Sequence, residues 1–395
     1  MNAFNLGMEV LFWLSLGLVA YTYFVYPAVL FAGYSLSQLR SDWRYLVNRR
    51  GRRVPAVQED ALPEVSFLIP AYNEEAHLPE KIINLREMDY PGQKVHVIFV
   101  SDGSTDRTNE ILRQLPDANF EAIILPNRSG KATALNQAVL RARNEILVFS
   151  DASTLFAPDA LRKLSRHFAD ARVGAVCGAL RFRASAESQQ TEGIYWKYES
   201  MIRLMEGRLG ATLTASGAIY ALRREAYHRL NPRTVLDDFV IPMNARDAGY
   251  QVLYDPEAIA TDYAPPSIKG EFKRRVRLAT GSFRSLVSLL RVPMGGFGRF
   301  AFISHKLLRW VLPLLLCTLL ISNIALLHHS LYAAFGLLQL FFYLWAGFGF
   351  VFRERMQTVR FGLLAYFLLA MNFAFLLGLF RSFSDHEEAT WQRIS

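Results

Sequence analysis

The stretch at residues 146–154 puts an acidic side chain directly after an apolar run. Residues 146–149 (ILVF) suit a buried strand and lead into Ser150 and Asp151. In an open α/β sheet, ligands bind at the carboxyl ends of the strands. A carboxylate there could hold a metal ion and the phosphates attached to it. Asp151 could instead cap a following helix, since Asp, Ser and Thr are all good caps.

Two more polar stretches carry candidate functional residues. Asp102 and Asp106 lie in a turn of Ser, Gly and Thr, a composition that is also typical of a helix cap. Lys131 stands at the start of a predicted helix, where it could meet a phosphate with the help of the N-terminal amides. An exposed lysine without a function is the alternative interpretation of Lys131.

Acidic and then basic residues complete the set. Asp237 and Asp238 follow an apolar pair and precede FVIP, a setting that suits a general base or a capped helix start. Residues 274–277 read RRVR. Such a run could clamp a pyrophosphate, or it could rest on lipid headgroups. Each of these signals is weak when it is taken alone.

A sheet with its helices is needed to bring these residues together. Helix starts are predicted at residues 73–79 and 130–136. Strands that alternate with helices predict a mainly parallel sheet, with several polar residues delivered to one edge. The predicted strands are residues 65–70, 95–100, 121–125 and 146–149.

Hydropathy separates this α/β region from apolar segments at both ends of the 395-residue chain, which is 52% hydrophobic. Residues 8–34 form a run longer than the roughly 20 residues that cross a bilayer. This run lacks the basic n-region and the short core of a signal peptide. Three more apolar stretches, and therefore four spans in all, are expected at residues 310–327, 331–352 and 361–380.

Basic residues cluster beside the apolar segments, which explains the net charge of +9 without a nucleic-acid partner. The arginines at residues 40–53 indicate that the α/β region is cytoplasmic. Apolar side chains at helical spacing over residues 272–290, with Lys and Arg between them, predict an amphipathic helix in a membrane interface. Cys177 and Cys317 fit neither a disulfide framework nor a zinc site.

Taken in order, the motifs resemble those of membrane-embedded family 2 glycosyltransferases, in particular cellulose, hyaluronan and poly-N-acetylglucosamine synthases. This resemblance implies an α/β GT-A fold with a mainly parallel sheet between transmembrane helices. It also implies an inverting enzyme that uses a nucleotide-diphosphate sugar, with a UDP-sugar expected, and a divalent metal. The motifs that carry it are PAYNEE at 70–75, SDGSTD at 101–106, GK at 130–131, SD at 150–151, SG at 216–217, DD at 237–238 and RRVR at 274–277.

The resemblance also implies where the donor binds. Tyr72, Glu74 and Asp102 would hold the nucleoside, with Lys131 close to it. Asp151 would stand for the first carboxylate of the family's Asp-x-Asp motif. That carboxylate meets the diphosphate and the metal, which would be Mg²⁺ or Mn²⁺.

Other roles follow from the same likeness. Asp238 would match the catalytic base at the end of the Thr-Glu-Asp motif. Arg274 and Arg277 fall on the Gln-x-x-Arg-Trp motif, whose arginine binds the donor diphosphate. Glu199 would line the same cleft or be an exposed helix acid. The residues expected on the acceptor side are Ser216, Gly217, Asp237 and Glu199.

Three positions depart from the family motifs. Ser153 replaces the second Asp of Asp-x-Asp, and a hydroxyl is a poorer ligand for a hard cation. Leu236 begins the Thr-Glu-Asp position, which keeps the expected base. Leu278 stands where the tryptophan of Gln-x-x-Arg-Trp would be, which removes an aromatic platform near the acceptor and argues against long-chain processive synthesis.

The expected function is sugar transfer at a bacterial-type inner membrane, onto a growing polysaccharide or a lipid-linked glycan. Nucleotide sugar, acceptor and membrane lipid are the expected partners, with export-complex subunits as further ones. Alternatives are a polyprenyl-phosphate sugar transferase and a non-catalytic nucleotide-sensing subunit. The expected regions are an N-terminal anchor (1–37), a basic cytoplasmic linker (38–62), a catalytic GT-A domain (63–268), an amphipathic interfacial segment (269–300), and a C-terminal membrane region with three spans and a tail (301–395).

Overall fold

The computed structural model describes residues 3–48, 61–115, 118–183, 191–215, 217–263, 268–292, 294–352 and 360–383. Its strands are β1 Val65–Ala71, β2 Val95–Asp102, β3 Phe120–Leu125, β4 Ile146–Phe149, β5 Leu155–Phe156, β6 Val173–Arg183, β7 Tyr220–Arg223 and β8 Gln251–Tyr263. Its helices are α1 Ala3–Ala20, α2 Tyr26–Asn48, α3 Leu78–Arg86, α4 Thr108–Arg113, α5 Lys131–Arg141, α6 Ala160–Ser165, α7 Thr191–Arg208, α8 Asp237–Asp247, α9 Ile268–Arg291, α10 Gly295–Ala301, α11 Leu308–Ala325, α12 Ser330–Val351 and α13 Arg360–Ser382.

Within the described residues, eight strands form one sheet in the order β3-β2-β1-β4-β7-β6-β8-β5. The neighbours β1–β2, β1–β4, β2–β3 and β6–β8 are parallel, and the other pairs are antiparallel. The sequence prediction of a mainly parallel sheet is thereby confirmed, including its first four strands. The carboxyl ends of β1, β2 and β4 meet at one edge.

Burial on both faces explains why the first strands are continuous apolar runs. Every residue of β1 and β4 is buried. Alternate side chains enter two cores, so that Phe67 packs on one face of the sheet and Leu68 on the other. Strands β6 and β8 were not predicted, because charged residues near their ends interrupt the apolar pattern.

The first predicted helix begins later than its sequence suggests. Asn73 has a φ of 55°, in the left-handed region, so the chain turns before it enters α3 at Leu78. The carbonyl of Glu74 closes this turn by accepting hydrogen bonds from the amides of His77 and Leu78, both at 3.0 Å. The turn keeps residues 72–75 at the sheet edge.

Four helical segments among the described residues are long and apolar enough to cross a membrane: Ala3–Arg44, Gly295–Ala325, Ser330–Val351 and Leu364–Ser382. They agree with the four spans expected from the sequence. A π-helical turn, Tyr21–Val25, joins α1 to α2, and another, Phe302–Leu307, joins α10 to α11. Helix α2 runs to Asn48, so residues 38–48 of the expected linker are helical. Residues 49–60 lie outside the described part of the chain.

The basic amphipathic helix is α9, and its apolar face packs against the last candidate span, α13. An added Cβ at Gly378 of α13 would come within 2.4 Å of the Ala279 Cβ. The Thr280 hydroxyl donates a hydrogen bond to the Gly378 carbonyl at 3.3 Å. This close approach joins the RRVR segment of α9 to a membrane-type helix.

Candidate active site

Lys131 joins the ends of three elements at the sheet edge. Its ammonium lies 2.8 Å from Oδ1 of Asp151, which follows β4, and 3.2 Å from Oδ2 of Asp237, which opens α8. Burial alone would lower the pKa of Lys131, but these two carboxylates raise it well above its usual value. Lys131 is therefore a fixed positive charge, and the interpretation as an exposed lysine is wrong.

The helix-cap interpretation of Asp151 is also wrong. The next helix, α6, begins only at Ala160, and Asp151 closes a turn by accepting the amide of Thr154 through its backbone carbonyl at 3.2 Å. By contrast, Asp106 does support a helix start, because its carboxylate accepts the Thr108 amide of α4 at 3.0 Å. Asp151 and Asp106 both lie among Ser and Thr residues in the sequence, but only Asp106 supports the start of a helix.

Asp102 holds the loop that presents Lys131. Its two carboxylate oxygens accept the backbone amides of Ser129 at 2.6 Å and Gly130 at 2.8 Å. Gly130 has a φ of 91°, a conformation that favours glycine, and α5 begins at the next residue. Asp102 is almost fully buried, and its carboxylate fixes the conformation of the loop that precedes Lys131.

Tyr72 and Glu74 lie on the neighbouring turn after β1. The guanidinium of Arg128 covers the Tyr72 ring, 3.9 Å from its centre. Glu74 is buried, and its amide donates to the hydroxyl of Thr108 at 2.8 Å. These two residues and Asp102 surround one corner of the sheet edge, where the sequence predicts the nucleoside.

Asp238 lies in the first turn of α8, where the helix dipole favours a negative charge. Its backbone carbonyl accepts the Ala215 amide at 2.9 Å. Gly217 has a φ of 69°, and an added Cβ there would lie 3.3 Å from Oδ2 of Asp238. Burial and the charge of Asp237 raise the pKa of Asp238 to about 6. Ser216, which was predicted beside it, lies outside the described residues.

The two predicted diphosphate arginines differ. Arg274 donates to both carboxylate oxygens of Glu271, at 2.7 and 2.9 Å. Arg277 lies within electrostatic range of Asp151, Asp237 and Asp238, and its buried Nε has no hydrogen-bond partner in the described part of the chain. Burial and the charge of Arg274 lower the pKa of Arg277. Arg277 is therefore the one closer to the carboxylates.

Sequence reasoning missed Asp262, near the end of β8. Burial and the charge of Asp151 raise the pKa of Asp262, and the Ser153 hydroxyl lies in hydrogen-bonding reach of its carboxylate. The fully buried Lys81 is close to both aspartates and donates to Ser150 at 2.7 Å. We call the following residues the donor-edge cluster: Lys131, Asp151, Asp237, Asp238, Asp262 and Arg277.

Glu199 is buried, not exposed. Its carboxylate pairs with Arg309 and, at 3.2 Å, with His305. The other ring nitrogen of His305 lies 2.7 Å from Glu206, which also accepts the Tyr26 hydroxyl at 2.6 Å. We call these five residues the clamp cluster, because they join α2 and α11 to α7.

A cavity of about 260 Å³ lies between the edge of the sheet and the membrane-type helices. Asp238 and Glu199 line it, so Glu199 does share a cleft with Asp238. Its apolar wall comes largely from α13, with Phe367, Met371 and Phe375. Among the members of the donor-edge cluster, Asp238 is the one that lines this cavity.

Comparisons with known proteins find similar sequences and a similar fold. Residues 66–230 match the family model described as Glycosyl transferase family 2. The poly-beta-1,6-N-acetyl-D-glucosamine synthase of Staphylococcus aureus is 28% identical over 253 residues, which cover 62% of this chain and 60% of the relative. An N-acetylglucosaminyltransferase of Rhizobium leguminosarum bv. viciae is 27% identical over 256 residues, covering 60% of this chain and 59% of the relative.

One solved structure has a similar fold over most of its length. The mannosyltransferase PcManGT from Pyrobaculum calidifontis, in complex with GDP-Man and Mn²⁺, has a TM-score of 0.67 at 23% identity. The similarity covers 91% of this chain and 99% of that one. At this identity the comparison shows a shared GT-A-like fold.

The fold is GT-A-like, and residues 66–230 are the part of the chain that is similar to the glycosyl transferase family 2 model. The match spans about 60% of the length of the curated relatives. Four apolar helices among the described residues suggest a membrane protein. No group of three or more His, Cys, Asp or Glu suited to a metal occurs among the described residues.

Proposed function

We propose that this chain is an inverting glycosyltransferase that moves a sugar from a nucleotide-diphosphate sugar to a hydroxyl group of a growing polysaccharide or lipid-linked glycan. The observation that carries this proposal is the position of Asp238. It belongs to the donor-edge cluster and also lines the cavity beside the membrane-type helices. A base in that position can reach an acceptor hydroxyl on one side while the donor lies on the other.

The charges of the donor-edge cluster suit a nucleoside diphosphate. Lys131 and Arg277 supply two positive charges where the leaving group would gain negative charge. The nucleoside would bind beside Tyr72, Glu74 and Asp102, as the motif order suggests. The name of the Pyrobaculum neighbour, which includes GDP-Man, and the acetylglucosamine transfer named in the relatives support a nucleotide-sugar donor.

A divalent cation, Mg²⁺ or Mn²⁺, fits the donor set at Asp151 and Asp262. Both are carboxylates, the ligand type that these hard cations prefer. The charge of Asp151 raises the pKa of Asp262, an unfavourable pairing that a bound divalent cation would relieve. When bound, the cation would neutralise charge on the diphosphate. Two protein carboxylates leave the remaining ligand positions to phosphate oxygens and water.

Asp238 then acts as the general base. Its raised pKa of about 6 keeps most of the carboxylate ionised at neutral pH and leaves it basic enough to accept a proton. The acceptor oxygen attacks the anomeric carbon from the side opposite the leaving nucleoside diphosphate, which inverts the configuration at that carbon. Arg277 and Lys131 stabilise the departing phosphates.

The proposed location is the inner (plasma) membrane, with several spans and with the family 2 domain in the cytoplasm. Four candidate spans among the described residues support a multi-pass arrangement. Arg40 and Arg44, at the end of the first span and before the domain, support the cytoplasmic side through the positive-inside rule.

Release of nucleoside diphosphate by the purified full chain tests this proposal. The protein in nanodiscs is given UDP- and GDP-sugars, Mn²⁺ or Mg²⁺, and membrane lipid extract or oligosaccharide as acceptor. At least one donor should turn over, and EDTA should stop the reaction. Absence of both turnover and nucleotide binding contradicts the proposal. Tight nucleotide binding without turnover from any donor instead favours the nucleotide-sensing subunit.

A further inference from the structure

The cavity next to Asp238 has two chemically different walls. Apolar side chains of α13 and α11 form one wall, among them Phe367, Met371 and Trp310. Charged side chains of α7 and α9 form much of the other. An acceptor that is uniformly polar, such as a free neutral oligosaccharide, would leave the apolar wall without a partner of its own kind. This cavity therefore suits an amphiphile.

Its charged wall carries an excess of positive charge. The acidic side chains are Glu199 and Asp238, and Glu199 is already paired with Arg309 and His305. The lysine and arginine residues in the lining are Arg203, Arg274, Arg275, Lys306 and Arg309. Of the acids in the lining, Asp238 remains to balance Arg203 and Lys306, and the buried Glu206, outside the lining, also acts on Lys306.

Arg203 and Lys306 are two cations of the lining whose charges act on Asp238. Both lie within electrostatic range of Asp238 and of each other. The buried Nε of Arg203 has no hydrogen-bond partner among the described residues. Within the same part of the chain, the ammonium of Lys306 makes no hydrogen bond or ion pair. Two such cations side by side in a partly buried wall favour the binding of an anion.

The donor phosphates are not that anion. Lys131 and Arg277, which would meet the diphosphate, do not line the cavity, and Arg274, which does line it, is paired with Glu271. Asp151 and Asp237, which hold Lys131, do not line it either. A second anionic group, separate from the donor, is therefore favoured on the cavity side of Asp238.

We propose that the acceptor is a lipid-linked sugar whose linker carries phosphate. The phosphate lies between Arg203 and Lys306, the hydrocarbon chain lies along the apolar wall of α13, and a sugar hydroxyl reaches Asp238. This inference rests on the proposed function and names its acceptor class. In the transfer, the hydroxyl oxygen bonds to the anomeric carbon, and its proton passes to the Asp238 carboxylate. The bond from that carbon to the donor phosphate breaks, and its electron pair leaves with the nucleoside diphosphate.

Binding of a short prenyl phosphate tests the phosphate site without any turnover. Farnesyl phosphate and farnesol are titrated onto the full chain in nanodiscs, with and without a saturating nucleoside diphosphate. We expect farnesyl phosphate to bind at least tenfold more tightly than farnesol, and the nucleotide should not displace it. Equal binding of the two, or displacement by nucleotide, overturns the proposal.

Variants on one helix assign the site. Arg203→Gln should remove the preference for farnesyl phosphate, whereas Arg203→Lys should keep most of it. The matched control is Arg208→Gln, which changes an exposed arginine on the same helix and should leave binding unchanged. Met371→Trp, which fills the apolar wall, should weaken farnesyl phosphate binding and leave nucleotide affinity intact. A preference that survives Arg203→Gln contradicts the assignment.

Acceptor competition then tests the class with whichever donor turns over. The acceptors are a polyprenyl-diphosphate-linked N-acetylglucosamine, an octyl N-acetylglucosaminide without phosphate, and a free chito-oligosaccharide. The phosphate-linked lipid should react at least tenfold faster, and Arg203→Gln should raise its KM and leave the donor KM unchanged. Equal rates with the free oligosaccharide reject a lipid acceptor. Failure of the proposed function has a different signature, since it removes nucleotide binding and leaves farnesyl phosphate binding unaffected.

Discussion

Two buried charge clusters lie on either side of the cavity, and they differ in how completely their charges are matched. In the clamp cluster, both oxygens of Glu199 and the Oε1 of Glu206 have protein partners. In the donor-edge cluster, the charge of Asp151 raises the pKa of Asp262, and the buried Nε of Arg277 has no hydrogen-bond partner among the described residues. The carboxylates of the clamp are matched within the protein, although Nε and Nη2 of Arg309 also lack a hydrogen-bond partner in the described part of the chain. The matching of the carboxylates, more than burial, therefore distinguishes the two clusters.

The largest effect is expected from removing the base. Asp238→Asn should lower kcat by roughly 10²–10⁴-fold, because the acceptor hydroxyl loses its proton acceptor. Nucleoside diphosphate affinity, measured by calorimetry, should change little, since Lys131 and Arg277 remain. Turnover close to the unaltered rate would show that another group is the base.

A change in the clamp should act on stability instead. Glu206→Gln removes a buried carboxylate that accepts the Tyr26 hydroxyl and pairs with His305, and the loss of such a partner typically costs about 1–3 kcal/mol. We expect a lower melting temperature with an unchanged nucleotide affinity. The control is Glu110→Gln, whose exposed pair with Arg107 should contribute almost nothing. Loss of nucleotide affinity at an unchanged melting temperature would reverse the assignment of the two clusters.

A substitution at Asp262 distinguishes a metal ligand from an acid with a purely structural role. Asp262→Asn should weaken Mn²⁺ binding in the presence of nucleoside diphosphate by about tenfold, as measured by electron paramagnetic resonance. The control is Asp159→Asn, a half-exposed acid that pairs with Lys163 on α6. Unchanged Mn²⁺ affinity would leave Asp151 as the sole protein carboxylate on the metal.

The pH dependence of turnover should be the mildest effect. Because burial raises the pKa of Asp238 to about 6, the ionised base is depleted as the pH falls through that value. The rate kcat/KM should be about tenfold lower at about pH 5 than at about pH 7. A profile that stays flat down to about pH 4.5 would indicate an ordinary carboxylate pKa, and with it a more hydrated base.

The sequence predicts a functional residue most readily where that residue lies next to the end of a recognisable strand. Asp151 and Lys131 could be brought together in advance, because β4 and the start of α5 belong to a recognisable parallel sheet. The position of Asp238 followed from its motif. Asp262 could not be found in this way, because it lies near the end of a long strand with mixed polarity and no motif around it.

The cations of the cavity were hidden for a different reason. Arg203 lies within a helix, and Lys306 lies inside an apolar span, where the hydropathy pattern draws attention to the lipid-facing residues. Their meaning depends on the packing of α7 against α11, which no local spacing encodes. For the same reason, the sequence left two interpretations of Glu199, a cleft residue or an exposed helix acid. Its burial excludes the exposed helix acid.

The glycine contact between α9 and α13 gives the bilayer a direct influence on the chemistry. Gly378 lets α13 touch Ala279, two residues from Arg277, so a movement of α13 would be passed to α9. A span that is too long for a thin bilayer tilts, and such a tilt of α13 would shift the guanidinium that meets the donor. Donor affinity should therefore vary with acyl-chain length in nanodiscs, and Gly378→Ala should alter that dependence. Membrane thickness would then act as a regulator of sugar transfer.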